Sequence, residues 1–208
     1  MLARRSGKRT GATKRRTTRG FGSSKSEIPS VSEFVGKRDF TGSLAVLDFK
    51  RRSGEADRDT LEWIGYSAWH SGDFERALET YDELVTAHAD PKYHVLRATC
   101  LFYLSRLDEA KDAALQGDGS KLQLRLLFHI AQRQADEETL VSYHAQLEDV
   151  KLDQLSLAAV HYQRSHYQEA TDVYKRMLLE NREDMAINVY VAMCYYKVRV
   201  HHSLRFLH

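Results

Sequence analysis

The chain has 208 residues, of which 42% are hydrophobic and 29% are charged, and it contains only two prolines and two cysteines. Few prolines and many Ala, Leu, Glu, Arg and Lys residues favour an all-α protein. Two cysteines cannot supply the disulfide framework of a small secreted domain. No apolar run approaches the roughly 20 residues of a membrane-spanning helix. We therefore expect a soluble helical protein of a reducing compartment.

The first part of the chain, residues 1–27, differs from the rest in charge. Residues 1–25 contain nine Lys or Arg residues and no acidic one, whereas the remainder carries 22 basic against 29 acidic residues. The segment lacks apolar periodicity and is rich in Gly, Ser and Thr, so we expect it to be disordered. It is either a solvated tail that screens the acidic body or a contact for an acidic surface. Nucleic-acid binding is the weaker hypothesis, because the body is acidic.

A repeated pattern of small and large residues occupies residues 28–197, with the spacing of about 34 residues that is typical of tetratricopeptide repeats. The clearest copy lies between Leu61 and Tyr81 and contains, in order, Gly65, Gly72, Phe74, Ala77 and Tyr81. Small residues let two antiparallel helices cross closely, and the large ones fill the space beside the crossing. This copy predicts one helix-turn-helix unit.

The same pattern recurs along the chain. Ala98 and Ala110 lie 33 residues after Gly65 and Ala77, and the later copies contain Ala158, Tyr167, Ala170, Tyr174 and finally Ala192. The 60 residues between Ala110 and Ala170 leave room for one irregular unit, in which Ala131 takes the position of Ala98. We predict an all-α, right-handed tetratricopeptide-repeat solenoid of about five helix pairs. The first and third pairs are irregular and the last is incomplete.

The end of the chain departs from this pattern. The sequence predicts a lone final helix over residues 185–197, followed by a divergent end, residues 198–208, which does not supply a capping helix. We therefore expect the chain to stop before the second helix of its last unit. Val189, Tyr190 and Cys194 should then be partly exposed, and the array should be prone to self-association.

Four aromatic residues are the candidate partner-binding site. Trp69, Phe102, Tyr162 and Tyr196 each lie four residues after the small residue of a first helix. Equivalent positions of stacked repeats line up along one surface, and this position is predicted to face the inner, concave side. The rings either pack between neighbouring first helices, or they form a groove that receives a helix or an extended segment of a partner.

The chain contains no motif that predicts catalysis. A phosphate-binding loop, an HExxH zinc motif, paired zinc-binding cysteines and a GxSxG nucleophile elbow are all absent from the sequence. We predict no catalytic, cofactor or metal site, and we interpret Cys100 and Cys194 as buried free thiols. The alternative function is a co-chaperone-like peptide-binding module. The predicted concave positions are poor in the cations that would clamp a peptide carboxylate.

Several segments carry a family resemblance: GKRDFTGSLAVLDFKR (residues 36–51), WIGYSAWHSGDFERALETY (63–81) and DQLSLAAVHYQRSHYQEATDVYKRMLLENRE (153–183). They resemble the tetratricopeptide-repeat subunit of the intraflagellar transport B complex, over about residues 28–197. Members of that family are longer, so the chain is similar to their N-terminal part. The resemblance implies a non-enzymatic adaptor that binds other subunits of the complex and ciliary cargo. It also implies a role in cilium assembly, and a location in the cilium or flagellum, at the ciliary base and in the cytoplasm.

Overall fold

A computed structural model describes residues 30–205, and describes side chains as far as residue 199. Within this range the chain is helical and contains no β-strand. The helices are α1 (Val31–Gly36), α2 (Phe40–Arg52), α3 (Arg58–Ser71), α4 (Phe74–Ala87), α5 (Lys92–Tyr103), α6 (Leu107–Leu115), α7 (Lys121–Gln134), α8 (Glu137–His144), α9 (Lys151–Gln163), α10 (Tyr167–Glu180) and α11 (Met185–Arg205). The predicted tail, residues 1–27, lies outside the described residues.

Successive helices pack against each other, so the chain forms stacked pairs: α1 with α2, α3 with α4, α5 with α6, α7 with α8, and α9 with α10. The last described helix, α11, packs on α10. The predicted all-α solenoid is thus confirmed. The first pair is irregular because α1 has only six residues. The other irregular pair is the fourth, α7 and α8, and not the third.

The turn inside each pair is fixed by local backbone chemistry. Arg38, Gly72, Ser105, Ala135 and Ser165 adopt positive φ angles of 57°, 86°, 61°, 56° and 64°, as residues at helix C-termini commonly do. In three of these turns an aspartate then caps the second helix: Asp39 accepts a hydrogen bond from the Gly42 N–H, Asp73 from the Arg76 N–H and Asp136 from the Thr139 N–H. A left-handed residue therefore occupies the same position in all five helix pairs of the described residues.

The positions of these left-handed residues correct the repeat register that the sequence predicted for the irregular unit. The five left-handed residues are spaced by 34, 33, 30 and 30 residues. The position seven residues before the left-handed residue, which Gly65, Ala98 and Ala158 hold in three other pairs, is held by Phe128. The assignment of Ala131 to this position is wrong. The predicted register assumes units of constant length between Ala110 and Ala170, whereas two units of the structure are three residues shorter than the unit before them.

The shift explains why α7 and α8 looked irregular. Phe128 and Leu140 occupy the two positions at which the regular pairs carry small residues, and both are buried. Together with Ala131 and Val160 they form a small hydrophobic cluster that is separate from the larger cores. This cluster lies between a large N-terminal core, which extends from Leu44 to Ile130, and a C-terminal core that α9, α10 and α11 build.

The small residues of the regular pairs lie at the helix crossings. A Cβ atom added to Gly65 would lie 2.8 Å from the Tyr81 Cζ atom, so this crossing requires a glycine. The five alanines that the repeat pattern places at these crossings are fully buried: Ala77, Ala98, Ala110, Ala158 and Ala170. Ala192 differs and is exposed, because no helix after α11 covers it in the described part of the chain.

The last helix is longer than predicted. α11 continues to Arg205, eight residues past the predicted end at Lys197, because residues 198–205 contain neither Pro nor Gly to stop it. Val189 and Tyr190 are exposed as expected. The expected exposure of Cys194 is wrong, since this residue is fully buried in the C-terminal core against α10.

Candidate partner-binding grooves

Two of the four predicted aromatic residues belong to one continuous ring cluster. The Trp69 ring lies 6.1 Å from the Phe74 ring and 5.4 Å from the Tyr103 ring, between centroids. Phe102 precedes Tyr103 on α5, and the centroids of their rings are 5.7 Å apart. Tyr103 therefore joins Trp69 to Phe102, and both rings are partly buried against the N-terminal core.

The other two aromatic residues lie elsewhere. Tyr162 packs against the C-terminal core, with its ring 5.3 Å from that of Tyr167. Tyr196 is 67% exposed. In the corrected register Gln132 holds the equivalent position of the fourth pair, and no ring contact within residues 30–199 joins Phe102 to Tyr162. The structure therefore brings Trp69 and Phe102 together but does not join all four predicted residues into one continuous surface.

A second set of rings, which the sequence analysis missed, connects consecutive pairs. His70 stacks on Phe40 at 5.0 Å, and Tyr103 stacks on Phe74 at 4.7 Å, each with an interplanar angle of 16°. In both cases a ring at the start of a second helix meets a ring at the end of the next first helix. The spacing of Phe40 from Phe74 and of His70 from Tyr103, 34 and 33 residues, is the signal that could have found them.

Two open grooves lie between first helices of neighbouring pairs. The N-terminal groove, between α3 and α5, has a volume of about 600 Å³ and is lined by Val35, Asp59, Glu62, Trp63, Tyr66, Tyr81, Lys92 and Leu96. The C-terminal groove, between α9 and α11, has a volume of about 350 Å³ and is lined by Leu155, Ala159, Tyr162, Gln163, Tyr174, Tyr190 and Met193. Tyr81 and Tyr174 occupy equivalent repeat positions. The two grooves are therefore formed by corresponding parts of two different repeats.

Hydrogen bonds already engage much of the charge in the N-terminal groove. Glu62 accepts hydrogen bonds from Arg58 Nε at 3.1 Å, from Lys92 Nζ at 3.2 Å and from the Tyr93 hydroxyl. Burial opposes ionisation of Glu62, but these donors still lower its pKa. Lys92 is therefore not free to clamp a peptide carboxylate, which argues against the co-chaperone-like alternative.

The C-terminal groove offers mainly apolar surface. The Tyr190 ring of α11 lies 5.4 Å from the Tyr174 ring of α10, and Met193 adds a flexible apolar side chain one turn further on. Burial raises the pKa of Tyr174 to about 12, so its hydroxyl stays protonated at neutral pH. An apolar groove with few polar groups suits the apolar face of a helix or an extended segment.

Other kinds of site are not found in the described part of the chain. Among the side chains that the structure describes, residues 30–199, no group of three His, Cys, Asp or Glu could hold a metal ion. Over residues 30–205, no helix combines the length and the apolarity needed to cross a bilayer. Cys100 and Cys194 are both free and buried.

Comparison with known proteins connects this fold to intraflagellar transport. The model of the family described as intraflagellar transport protein 56 matches residues 61–206. The intraflagellar transport protein 56 homolog of Caenorhabditis elegans is 32% identical over 181 residues, which cover 85% of this chain and 32% of that relative. Intraflagellar transport protein 70A of Danio rerio is 23% identical, covering 84% of this chain and 28% of that relative. The chain thus spans about a third of the length of the curated relatives it matches.

Solved structures support the fold alone. A tetratricopeptide-repeat protein from Thermus thermophilus superposes with a TM-score of 0.68 at 14% identity, covering 80% of this chain and 95% of the other. A tetratricopeptide-repeat protein from Parabacteroides merdae superposes with a TM-score of 0.56 at 16% identity, covering 81% and 70%. The repeat architecture predicted from the spacing of small residues is confirmed.

Proposed function

The chain belongs to the intraflagellar transport protein 56 family, and on that basis we propose that it is a non-enzymatic scaffold of the intraflagellar transport B complex. Its role is to hold other subunits of the complex and ciliary cargo together during cilium assembly and the transport of motility components. It acts in the cilium or flagellum, at the ciliary base and in the cytoplasm. The basic tail contributes a contact with an acidic surface.

The observation that carries this proposal is the C-terminal groove. Tyr190 and Met193 expose large apolar side chains on one side of it, and Leu155 and Tyr162 line the other. Exposed aromatic and methionine side chains that surround a groove are favoured anchors for a partner. A helix or an extended segment of another complex B subunit is the occupant we propose, and binding by such a groove requires no catalytic group.

Two tyrosines of α11 provide a matched test. Tyr190 lines the groove and is 40% exposed, whereas Tyr195 is 46% exposed and lies beside Lys175, whose Nζ atom is 5.2 Å from its ring centroid. Tyr190→Ala and Tyr195→Ala remove the same ring from the two sides of one helix. Binding to the purified remaining subunits of the complex is measured with each variant, and thermal melting reports on folding.

We expect Tyr190→Ala to weaken binding at least about tenfold, as truncation of an interface anchor does. Tyr195→Ala should bind as the parent chain does. Equal binding of all three proteins, each folded, would refute the C-terminal groove as the docking site. Absence of any binding by the parent chain to the purified subunits would refute the scaffold function of this segment.

A further inference from the structure

The N-terminal groove has aromatic walls that no described residue covers. Trp63 and Tyr66 of α3 are each 38% exposed, and their rings meet edge to face with centroids 5.6 Å apart. Val35 of α1 lines the same groove. A volume of about 600 Å³ lies within the range of ordinary ligand pockets, so the groove can hold several side chains of a docked segment.

The charge around this groove selects a basic occupant. The groove lining carries the carboxylates of Asp59 and Glu62 and the cation of Lys92, and Glu62 is already paired with Lys92, so the charge of Asp59 is left over. Asp59, at the first turn of α3, lines the groove and makes no ion pair or hydrogen bond with the residues that the structure describes. A cationic side chain can pair with Asp59 or lie over the face of Trp63 or Tyr66.

The chain itself carries a segment with this chemistry close by. Residues 19–25 read RGFGSSK, in which Phe21 stands between two glycines and is flanked by Arg19 and Lys25. Lys25 is five residues before Ser30, the N-cap of α1, so it can lie up to about 17 Å from that residue. Val35, at the groove, is about 8 Å along α1 from Ser30. The chain is therefore long enough for residues 19–25 to reach the groove.

We propose that residues 19–25 of the same chain dock in the N-terminal groove. Phe21 packs against Trp63 and Tyr66, and one of the flanking cations pairs with Asp59. A tether this short raises the effective concentration of the segment to about the millimolar range, so even weak contacts suffice. This inference concerns a groove other than the one assigned to the complex and does not depend on that assignment.

The test places a fluorescent label on the tail of the complete chain. The native thiols of Cys100 and Cys194 are 0% exposed, and burial raises the pKa of both, so a Ser24→Cys thiol reacts selectively. The label is a small bimane, whose emission a tryptophan quenches on contact. Trp63 is the expected quencher, and Trp63→Phe keeps an aromatic ring there while removing the quenching indole.

We expect the label to be quenched in the parent chain, and the quenching to be lost with Trp63→Phe, with Phe21→Ala and with Asp59→Lys. Glu79→Lys is the matched control, because Glu79 is exposed on α4, lies outside the groove and has no described partner. It should leave the quenching unchanged. Circular dichroism establishes that each variant is folded.

Three results would overturn the proposal. One is emission that does not differ between the parent chain and Trp63→Phe. Another is an equal effect of Asp59→Lys and Glu79→Lys, which would show that the tail follows the overall acidity of the body. The third is quenching of a labelled Trp63→Phe chain by added unlabelled parent chain, which would assign the occupant to a second copy.

Discussion

Arg125 and Asp153 form an ion pair that joins the fourth helix pair to the fifth. Arg125 Nη1 donates to Asp153 Oδ1 at 2.8 Å, and the other carboxylate oxygen accepts from the Glu148 N–H at 3.0 Å. The Asp153 side chain is 0% exposed and that of Arg125 is 16% exposed. Other ion pairs also link neighbouring helix pairs, such as Lys151 with Asp184, but among the described residues the Asp153 carboxylate is the most buried of the ion-paired carboxylates.

Loss of this carboxylate should destabilise the array. Asp153→Ala leaves the Arg125 cation and the Glu148 N–H without their acceptor, and removing one partner of a buried ion pair costs about 3–5 kcal/mol. Glu137→Ala is the control, because its pair with Arg164 at 2.8 Å is exposed and is worth less than about 1 kcal/mol. Urea unfolding followed by circular dichroism measures both, and similar midpoints for the two variants would contradict the prediction.

The same pair predicts a pH dependence. Burial opposes ionisation of Asp153, but the Glu148 N–H and Arg125 hold its pKa below the usual value. The unfolded chain therefore binds the proton more tightly, and the contribution of Asp153 to stability is present above the unfolded pKa of about 3.9. It is lost as the pH falls through the lower pKa of the folded state. The difference in the free energy of unfolding between the parent chain and Asp153→Asn should shrink as the pH falls from the unfolded pKa of Asp153 through its folded pKa. A difference that does not change with pH would contradict this prediction.

Two alanines at equivalent repeat positions test the packing register. Ala158 is fully buried at the crossing of α9, whereas Ala192 is exposed on α11. Ala158→Leu overpacks the crossing and should cost about 1–3 kcal/mol. Ala192→Leu meets no described neighbour and should change the unfolding midpoint little. A larger loss for Ala192→Leu than for Ala158→Leu would show that the register of the last helices is wrong.

Much of the fold was predictable because its determinants are local and repeated. Gly72 ends α3 and the next residue, Asp73, caps α4. Gly65 has no side chain, so the Tyr81 ring can pack directly against the α3 backbone. Such signals recur at a fixed spacing, so each copy supports the others. The helix pairs and the small residues at their crossings follow from these positions alone.

The irregular unit was predictable only in part. Ala135 adopts the left-handed conformation that Gly72 adopts in the clearest copy, and an alanine gives no sign of positive φ in a sequence. Without that sign, Ala131 and Phe128 are equally plausible at the crossing. The N-terminal groove was missed for another reason: its walls combine helices distant in the chain, α1 with α3 and α5, and spacing within one repeat does not encode it.

The last prediction separates the two interpretations of the aromatic residues. Trp69 packs against Phe74 and Tyr103, so Trp69→Ala should cost about 3 kcal/mol, the lower end of the range for buried aromatic side chains, and should lower the melting temperature. Its indole N–H is buried with no acceptor among the described residues, so Trp69→Phe loses no hydrogen bond and should keep most of the stability. Tyr196→Ala, at an exposed ring, should leave melting unchanged. If Trp69→Ala instead melts as the parent chain does while partner binding is lost, this ring belongs to a binding surface and not to the packing between helix pairs.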